Sequence, residues 1–139
     1  MKTTYKISLI AGFILVIAGA VTGFYLYNKQ HKDLGKAKPD YVITATDLLK
    51  EFEKDESAAS AKYVNRIIEV SGTIESLNTG KDNTLSIILK TDSDFSTVIC
   101  TFLKAQNHEE FKPGNEITVK GECSGFLTDV LLNNCFLKK

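Results

Sequence analysis

Three cysteines and two histidines are the residues of this 139-residue chain best suited to metal binding or nucleophilic chemistry. Cys100, Cys123 and Cys135 lie far apart and form no Cys-x-x-Cys pair. His31 falls in a polar stretch near the N-terminus, and His108 falls in a short polar link. A structural zinc ion needs four ligands at characteristic spacings. We therefore predict neither a metal site nor any other cofactor.

Acid–base catalysis is a second possibility, because the run His108-Glu109-Glu110 carries suitable residue types. Adjacent polar residues on a short link are, however, typical of solvated surface. The sequence also contains no nucleophile motif, no phosphate-binding loop and no second histidine placed to partner a nucleophile. We therefore expect a protein that is not an enzyme.

Two of the cysteines are spaced as a disulfide pair would be. Cys123 and Cys135 lie at equal distances from Asp129, where a turn is predicted. In a simple antiparallel hairpin they would lie opposite each other, about one strand spacing apart. That arrangement permits a disulfide in an oxidising compartment, with Cys100 left free. The alternative is that all three cysteines are buried as small apolar residues.

Glu56 is the carboxylate whose predicted position is hardest to explain. One helix is predicted from Thr44 to about Tyr63, beginning at a capping box in which Asp47 replaces the usual glutamate. Its apolar residues recur at helical spacing, and Glu56 projects into the middle of that stripe. A carboxylate there needs a partner. It either bonds a backbone amide, the Tyr63 hydroxyl or Arg66, or it faces a ligand.

The remainder of the chain alternates apolar and polar residues with period two, which is typical of strands. Five strands are predicted, and a longer break from Ala105 to Phe111 separates the third from the fourth. Their inward residues are Ile68, Val70, Gly72 and Ile74; Leu85, Ile87 and Leu89; Val98, Cys100 and Phe102; Ile117, Val119, Gly121 and Cys123; and members of the segment from Val130 to Leu137. This order is that of an OB-fold barrel. We predict a mainly β domain, with the amphipathic helix covering one open end of the barrel.

The ligand face of an OB-fold barrel is formed by its second and third strands. Ser86, Ile88 and Lys90 are predicted to point outward from one of these strands, and Ile99 from the other. This predicted outward set contains no aromatic residue and a single lysine. It therefore suits a protein or a small ligand better than a nucleic acid.

The N-terminal segment is predicted to be a membrane anchor. Residues 7–27 include no charged residue and have lysines on both sides. A helix of about 20 residues crosses a hydrocarbon core of about 30 Å. We therefore predict an anchor over 1–28, a linker over 29–40 and an OB-fold domain over 41–139. A cleaved signal peptide is the alternative, because Ala18-Gly19-Ala20 fits a cleavage pattern, but the chain stays apolar beyond it.

The formal net charge of zero hides an uneven distribution. Residues 1–39 contain six lysines and one aspartate, whereas residues 40–139 contain eleven basic and sixteen acidic residues. The basic part can lie beside anionic lipid head groups. The acidic part repels phosphate backbones, which argues against nucleic acid as a partner. Lysine counts favour a cytoplasmic domain, but the short basic N-terminus resembles a signal anchor, so we expect the domain outside the cytoplasm.

Two blocks of the sequence resemble a known family. The first block is Ala45-x-Asp47-Leu48-Leu49, then Glu56-x-x-Ala59-x-x-Lys62-Tyr63, then Ile68-x-Val70-x-Gly72. The second block is Gly114-Asn115-x-Ile117-x-Val119-Lys120-Gly121-x-Cys123-x-Gly125, then Asp129-Val130-x-Leu132-x-Asn134-Cys135. Over residues 42–138 the chain resembles the tRNA_anti-like OB-fold family. That resemblance implies an OB-fold barrel in a small bacterial protein of a kind that is often exported or membrane-tethered.

Together these patterns predict a membrane-anchored, non-enzymatic binding module of the bacterial cell envelope. Its site is expected on the outward strand face with loops 78–84 and 91–96, and Glu56 is a further candidate. The predicted partner is a protein or a small ligand. The alternative is a single-stranded nucleic-acid-binding protein, which requires a cytoplasmic domain.

Overall fold

A computed structural model describes residues 2–28, 34–103 and 111–138. The chain divides into two compact units, Met1–Asp33 and Leu34–Lys139. Residues 105–110 of the predicted link lie outside the described residues, whereas its last member, Phe111, is described. Both histidines, His31 and His108, also lie outside the described residues.

The first unit contains helix α1 (Lys2–Asn28), so the apolar run of the sequence is helical. Its described large apolar side chains are exposed: Ile10, Phe13, Ile14, Leu15, Val16, Ile17, Val21, Phe24, Tyr25, Leu26 and Tyr27. Among the described residues, no helix combines the length and the hydropathy that define a candidate membrane span.

The second unit, in its described residues, consists of a six-stranded sheet and two short helices. Its elements are β1 (Tyr41–Thr44), α2 (Ala45–Lys54), α3 (Glu56–Tyr63), β2 (Ile67–Thr79), β3 (Leu85–Leu89), β4 (Val98–Phe102), β5 (Glu116–Phe126) and β6 (Val130–Leu137). Strands β2-β3-β4-β6-β5 are neighbours in that order, and β5 pairs back with β2. The β4–β6 pairing is parallel, and the other four are antiparallel. The predicted mainly β fold with a closed five-stranded barrel is therefore confirmed.

Strand β2 is the longest strand and has three neighbours. Its first half pairs with β5 on one side and with β1 on the other, and its second half pairs with β3. Gly72 pairs with Ile117 of β5 near the end of the first half, and a Cβ there would be 3.1 Å from Cβ of Ala45 and 3.5 Å from Leu89. The glycine therefore lets the start of α2 pack closely on the barrel. The ladder irregularity itself follows two residues later, between Ile74 and Ser76.

Strand β1 was not predicted. It lies parallel to β2, and the Asp40 carboxylate accepts a hydrogen bond from the Ile67 amide at 3.0 Å. The preceding residues also belong to the folded unit, because Leu34 is only 2% exposed. Lys120 Nζ donates to the backbone oxygens of Gly35 and Ala37 at 3.2 and 2.7 Å. The folded unit therefore begins inside the segment that the sequence assigned to a linker.

The predicted single helix is two helices separated at Asp55. Thr44 caps α2 by accepting from the Asp47 amide at 3.2 Å, which confirms the predicted start. Asp55 has an extended backbone, and its carboxylate caps α3 by accepting from the Ala58 amide at 3.0 Å. The break changes the helical phase, so Glu56 is exposed in the first turn of α3. Its predicted place in the apolar stripe was wrong because that prediction assumed a continuous helix.

The core fills the barrel and continues under the two helices. Phe52 of α2 stacks on Phe126 of β5 with ring centroids 5.6 Å apart, and it also contacts the Tyr63 ring. The helices therefore cover one end of the barrel, as predicted. The buried apolar residues of the barrel strands are Ile68, Val70, Ile74, Leu85, Ile87, Leu89, Val98, Cys100, Phe102, Val119, Cys123, Val130, Leu132 and Cys135.

Gly121 provides a test of the β5–β6 packing. A Cβ at this position would lie 2.7 Å from Cys135 Sγ and 3.2 Å from the Asn133 carbonyl oxygen. We expect Gly121→Ala to lower the free energy of unfolding by about 1–3 kcal/mol, because the neighbours must shift. Denaturant unfolding of the full chain, followed by circular dichroism, measures this loss. The loss should be smaller in a Cys135→Ala background, and an equal loss in both backgrounds would contradict the packing described.

Candidate binding face of the barrel

The structure brings the predicted site residues Ser86, Ile88 and Ile99 together on the outside of the barrel. Ile88 of β3 pairs directly with Ile99 of β4 in the antiparallel ladder. The chain neighbours of both isoleucines are buried, so alternation turns these two side chains outward, where each is half-buried. Lys90 follows β3 and is exposed. The predicted outward set therefore forms one surface.

A third strand extends this surface. Leu131 of β6 pairs with Ile99 in the parallel β4–β6 ladder and is also half-buried. Ile88, Ile99 and Leu131 thus form a row across three adjoining strands, which we call the apolar row. Leu131 was not predicted as a site residue, because alternation within β6 does not reveal which strand pairs with it. The barrel order supplies that information.

The loop between β3 and β4 carries the most exposed large apolar residue of the described second unit. Phe95 has 88% of its side chain exposed. The nearly buried Thr91 hydroxyl donates to the Ser96 carbonyl at 2.6 Å and accepts from the Ser93 amide at 3.3 Å. These bonds close the loop on itself. Phe95 is therefore presented by a compact turn in the loop that joins β3 to β4.

Charges on the two loops that flank β3 are mixed, with an excess of one acid. They are Lys81 and Asp82 before β3, and Lys90, Asp92 and Asp94 after it. The Asp92 carboxylate pairs with Lys50 Nζ of α2 at 3.0 Å, and both side chains are mostly exposed. The charged residues of these loops thus form no basic stripe of the kind that follows a phosphate backbone.

Comparison with known proteins identifies the family. The tRNA_anti-like family model matches residues 1–137. The chain belongs to the tRNA_anti-like family. The resemblance over 42–138 is thereby confirmed, and the match extends it to the N-terminal segment. Among curated proteins, none matches this tRNA_anti-like chain.

One similar solved structure shares the fold of this tRNA_anti-like protein. It comes from Klebsiella pneumoniae subsp. pneumoniae and is described as a "putative nucleic acid-binding lipoprotein". The two chains are 18% identical with a TM-score of 0.57, and the similarity covers 70% of this chain and 91% of that chain. At this identity the similarity shows the fold alone.

Glu56 is not part of the apolar row, because α3 packs against α2 and β5. In this tRNA_anti-like protein Glu51 makes one of the bonds that were considered for Glu56, the bond with the Tyr63 hydroxyl. Its carboxylate accepts from the Tyr63 hydroxyl at 2.9 Å and from Lys62 Nζ at 2.8 Å. The Lys62 hydrogen bond holds the pKa of Glu51 below its ordinary value. The Lys62 ammonium also lies 5.6 Å from the Tyr41 ring centroid, so this cluster joins both helices to β1.

The three cysteines of the tRNA_anti-like barrel are buried free thiols. Cys123 lies opposite Leu132, because Phe126 pairs with Val130 around a turn centred on Thr128 and the ladder shifts register once between Gly125 and Cys123. The expectation that Cys123 faces Cys135 was therefore wrong, since it centred the turn on Asp129 and assumed a hairpin without bulges. A hydrogen bond with Cys135 and burial raise the pKa of Cys100, and burial raises the pKa of Cys123.

A groove of about 770 Å³ lies where α2 begins, and Lys90 of the predicted outward set belongs to its lining. Hydroxyl groups of Thr44, Thr46, Ser71, Thr73 and Thr118 contribute to its lining. It offers hydrogen-bonding groups to a polar ligand. Within the described ranges, no three or more metal-ligating side chains come together, in the groove or elsewhere.

Alkylation tests the state of the cysteines in the full chain. Buried protonated thiols react slowly, so we expect little modification by iodoacetamide in the native protein at neutral pH. After unfolding in urea without reductant, all three cysteines should be alkylated, as measured by intact mass. A parallel sample treated with reductant is the control. Alkylation of a single thiol without reductant and of three with it would reveal a disulfide and contradict this structure.

Proposed function

We propose that this tRNA_anti-like protein is a membrane-tethered, non-enzymatic module that binds a protein partner through the outer face of its barrel. The observations that carry the proposal are the apolar row of Ile88, Ile99 and Leu131 and the exposed Phe95 in the loop that joins β3 to β4. Aromatic and aliphatic side chains grouped on a surface are typical anchors of protein interfaces. Loops with both signs of charge form the polar rim that such interfaces have.

The shape of this face favours a protein over a small ligand. Small-molecule sites are concave and enclose most of their ligand. The apolar row lies on the convex outside of a closed barrel, and its two isoleucines are only half-buried. An apolar surface that is not concave gains affinity only when a partner covers a large area.

The proposed tether is α1. Support comes from the sequence, which has no charged residue over 7–27 and lysines on both sides of that run. Exposed apolar side chains along α1 need a non-aqueous environment. The lipoprotein description of the Klebsiella protein also supports a location at a membrane for proteins of this fold. In this proposal the barrel lies outside the cytoplasm.

A single-stranded nucleic acid is the second candidate ligand. It is favoured by the description of the Klebsiella protein and by the exposed ring of Phe95, because unpaired bases stack on such rings. Residues 40–139 carry eleven basic and sixteen acidic residues, which opposes binding to phosphates. We therefore place this candidate second.

Substitution of Phe95 tests the proposal. We expect Phe95→Ser to weaken capture of the partner from detergent-solubilised membranes by about tenfold or more, as loss of an aromatic anchor does. The full chain is the bait, and quantitative mass spectrometry measures the captured proteins. Val42→Ser is the matched control, because Val42 is 72% exposed but lies on β1, away from the apolar row.

Two outcomes would overturn the proposal. One is an unchanged set of captured proteins in Phe95→Ser. The other is tight, Phe95-dependent binding of an oligo(dT) or poly(U) strand at 0.15 M salt in a gel-shift assay, which would establish the second candidate instead.

A further inference from the structure

Asp129 joins two loops at one end of the barrel. It lies in the turn between β5 and β6, and its Oδ1 accepts from the Thr97 amide at 2.7 Å and from the Thr97 hydroxyl at 2.8 Å. Thr97 ends the loop that carries Phe95. A backbone bond from the Val130 amide to the Thr97 carbonyl at 3.0 Å continues the connection.

The joined loops each carry one strongly exposed apolar side chain. Phe95 lies two residues before Thr97, and Leu127 lies two residues before Asp129; their side chains are 88% and 84% exposed. The turn around Leu127 is closed by a bond from its amide to the Asp129 carbonyl at 3.2 Å. Two apolar tips are thus fixed to the same hydrogen-bonded junction.

The charge beside these tips has an excess of acid, because the two loops carry Lys90 against Asp92, Asp94 and Asp129. Asp92 and Asp94 precede Phe95 in its loop, and Asp129 follows Leu127 in its turn. Lys50 pairs with Asp92, whereas Asp94 is exposed. Both bonds from Thr97 go to a single oxygen of Asp129. A partner that covers the two apolar tips therefore meets carboxylates, and basic side chains beside its own apolar groups would complement them.

We propose that Asp129 is a positioning residue that holds Phe95 and Leu127 as one contact surface for a cationic, apolar segment of a protein partner. This inference rests on the proposed function and adds to it the β5–β6 turn and the chemistry of the partner. Asp129 acts through Thr97: without its carboxylate, the two loops are joined by the backbone bond alone. Leu127 was invisible as a site residue in the sequence, where it is one apolar residue in a turn.

Hydrogen exchange tests the junction independently of any ligand. In the full chain in detergent micelles, we expect Asp129→Ala to speed exchange of the Thr97 amide by about tenfold or more, because its acceptor is lost. Asp129→Asn should keep exchange near the wild-type rate, since the asparagine Oδ1 can accept both bonds. A Thr97 amide that exchanges equally in wild type and Asp129→Ala would overturn the inference. If Asp129→Ala has a low Tm, Asp129→Asn, which is expected to keep both bonds, still provides a folded variant for comparison with wild type.

Titration with a defined probe tests the positioning role. The probe is a leucine–arginine tetrapeptide amide, and a leucine–glutamate tetrapeptide of equal length is its control. We expect only the cationic probe to shift the amide resonances of Leu127 and Thr97. Its affinity should fall about threefold or more in Asp129→Ala and in Leu127→Ser, and it should stay closer to wild type in Asp129→Asn.

The two proposals fail in different ways. Faster Thr97 exchange with unchanged probe affinity in Asp129→Ala would refute the positioning role while Phe95→Ser still tests the binding face. Equal binding of the acidic and the cationic probe would refute the assigned partner chemistry. Unchanged probe affinity in both Phe95→Ser and Leu127→Ser would refute the binding face itself, whatever the junction does.

Discussion

Strand β2 closes the barrel because its two halves pair with different strands. The first half pairs with β5 and the second with β3, so one continuous segment joins both ends of the sheet. The close approach of Ala45 to Gly72 places α2 over the end of the barrel at this change of partner. Closure also makes β4 and β6 parallel neighbours. That pairing aligns Leu131 with Ile99 and so creates the apolar row.

The sequence predicted those parts of the fold that depend on local periodicity. Alternation identified the strands and placed Ile88 and Ile99 on the outside, because a strand with a buried face leaves its alternate residues outward. The helical spacing of apolar residues could not locate the break at Asp55, because a capping carboxylate there interrupts a pattern that remains helical on both sides. The centre of the β5–β6 turn at Thr128 and the bulge between Cys123 and Gly125 were equally hidden, and together they place Cys123 opposite Leu132 instead of Cys135. Ladder partners that are distant in sequence, such as Ile99 and Leu131, can be identified only when the order of strands in the closed barrel is known.

The candidate surface combines two kinds of support. The apolar row rests on the rigid strands of the barrel, whereas Phe95 and Leu127 rest on loops that are held by hydrogen bonds through Thr91 and Asp129. Apolar residues presented by ordered loops lose little conformational entropy when a partner covers them. In the proposed function, this ordering of the tRNA_anti-like barrel's surface favours association with a partner. A membrane tether through α1 would keep that surface near partners in the same membrane.

Site-specific photo-crosslinking measures the central claim most directly. A photoreactive phenylalanine analogue would be placed at position 95 of the full chain in the membranes of cells that produce it, with position 42 as the control. A binding face around Phe95 predicts crosslinks to one discrete protein from position 95 and none from position 42. Crosslinks from position 95 to nucleic acid, or the same products from both positions, would contradict the account.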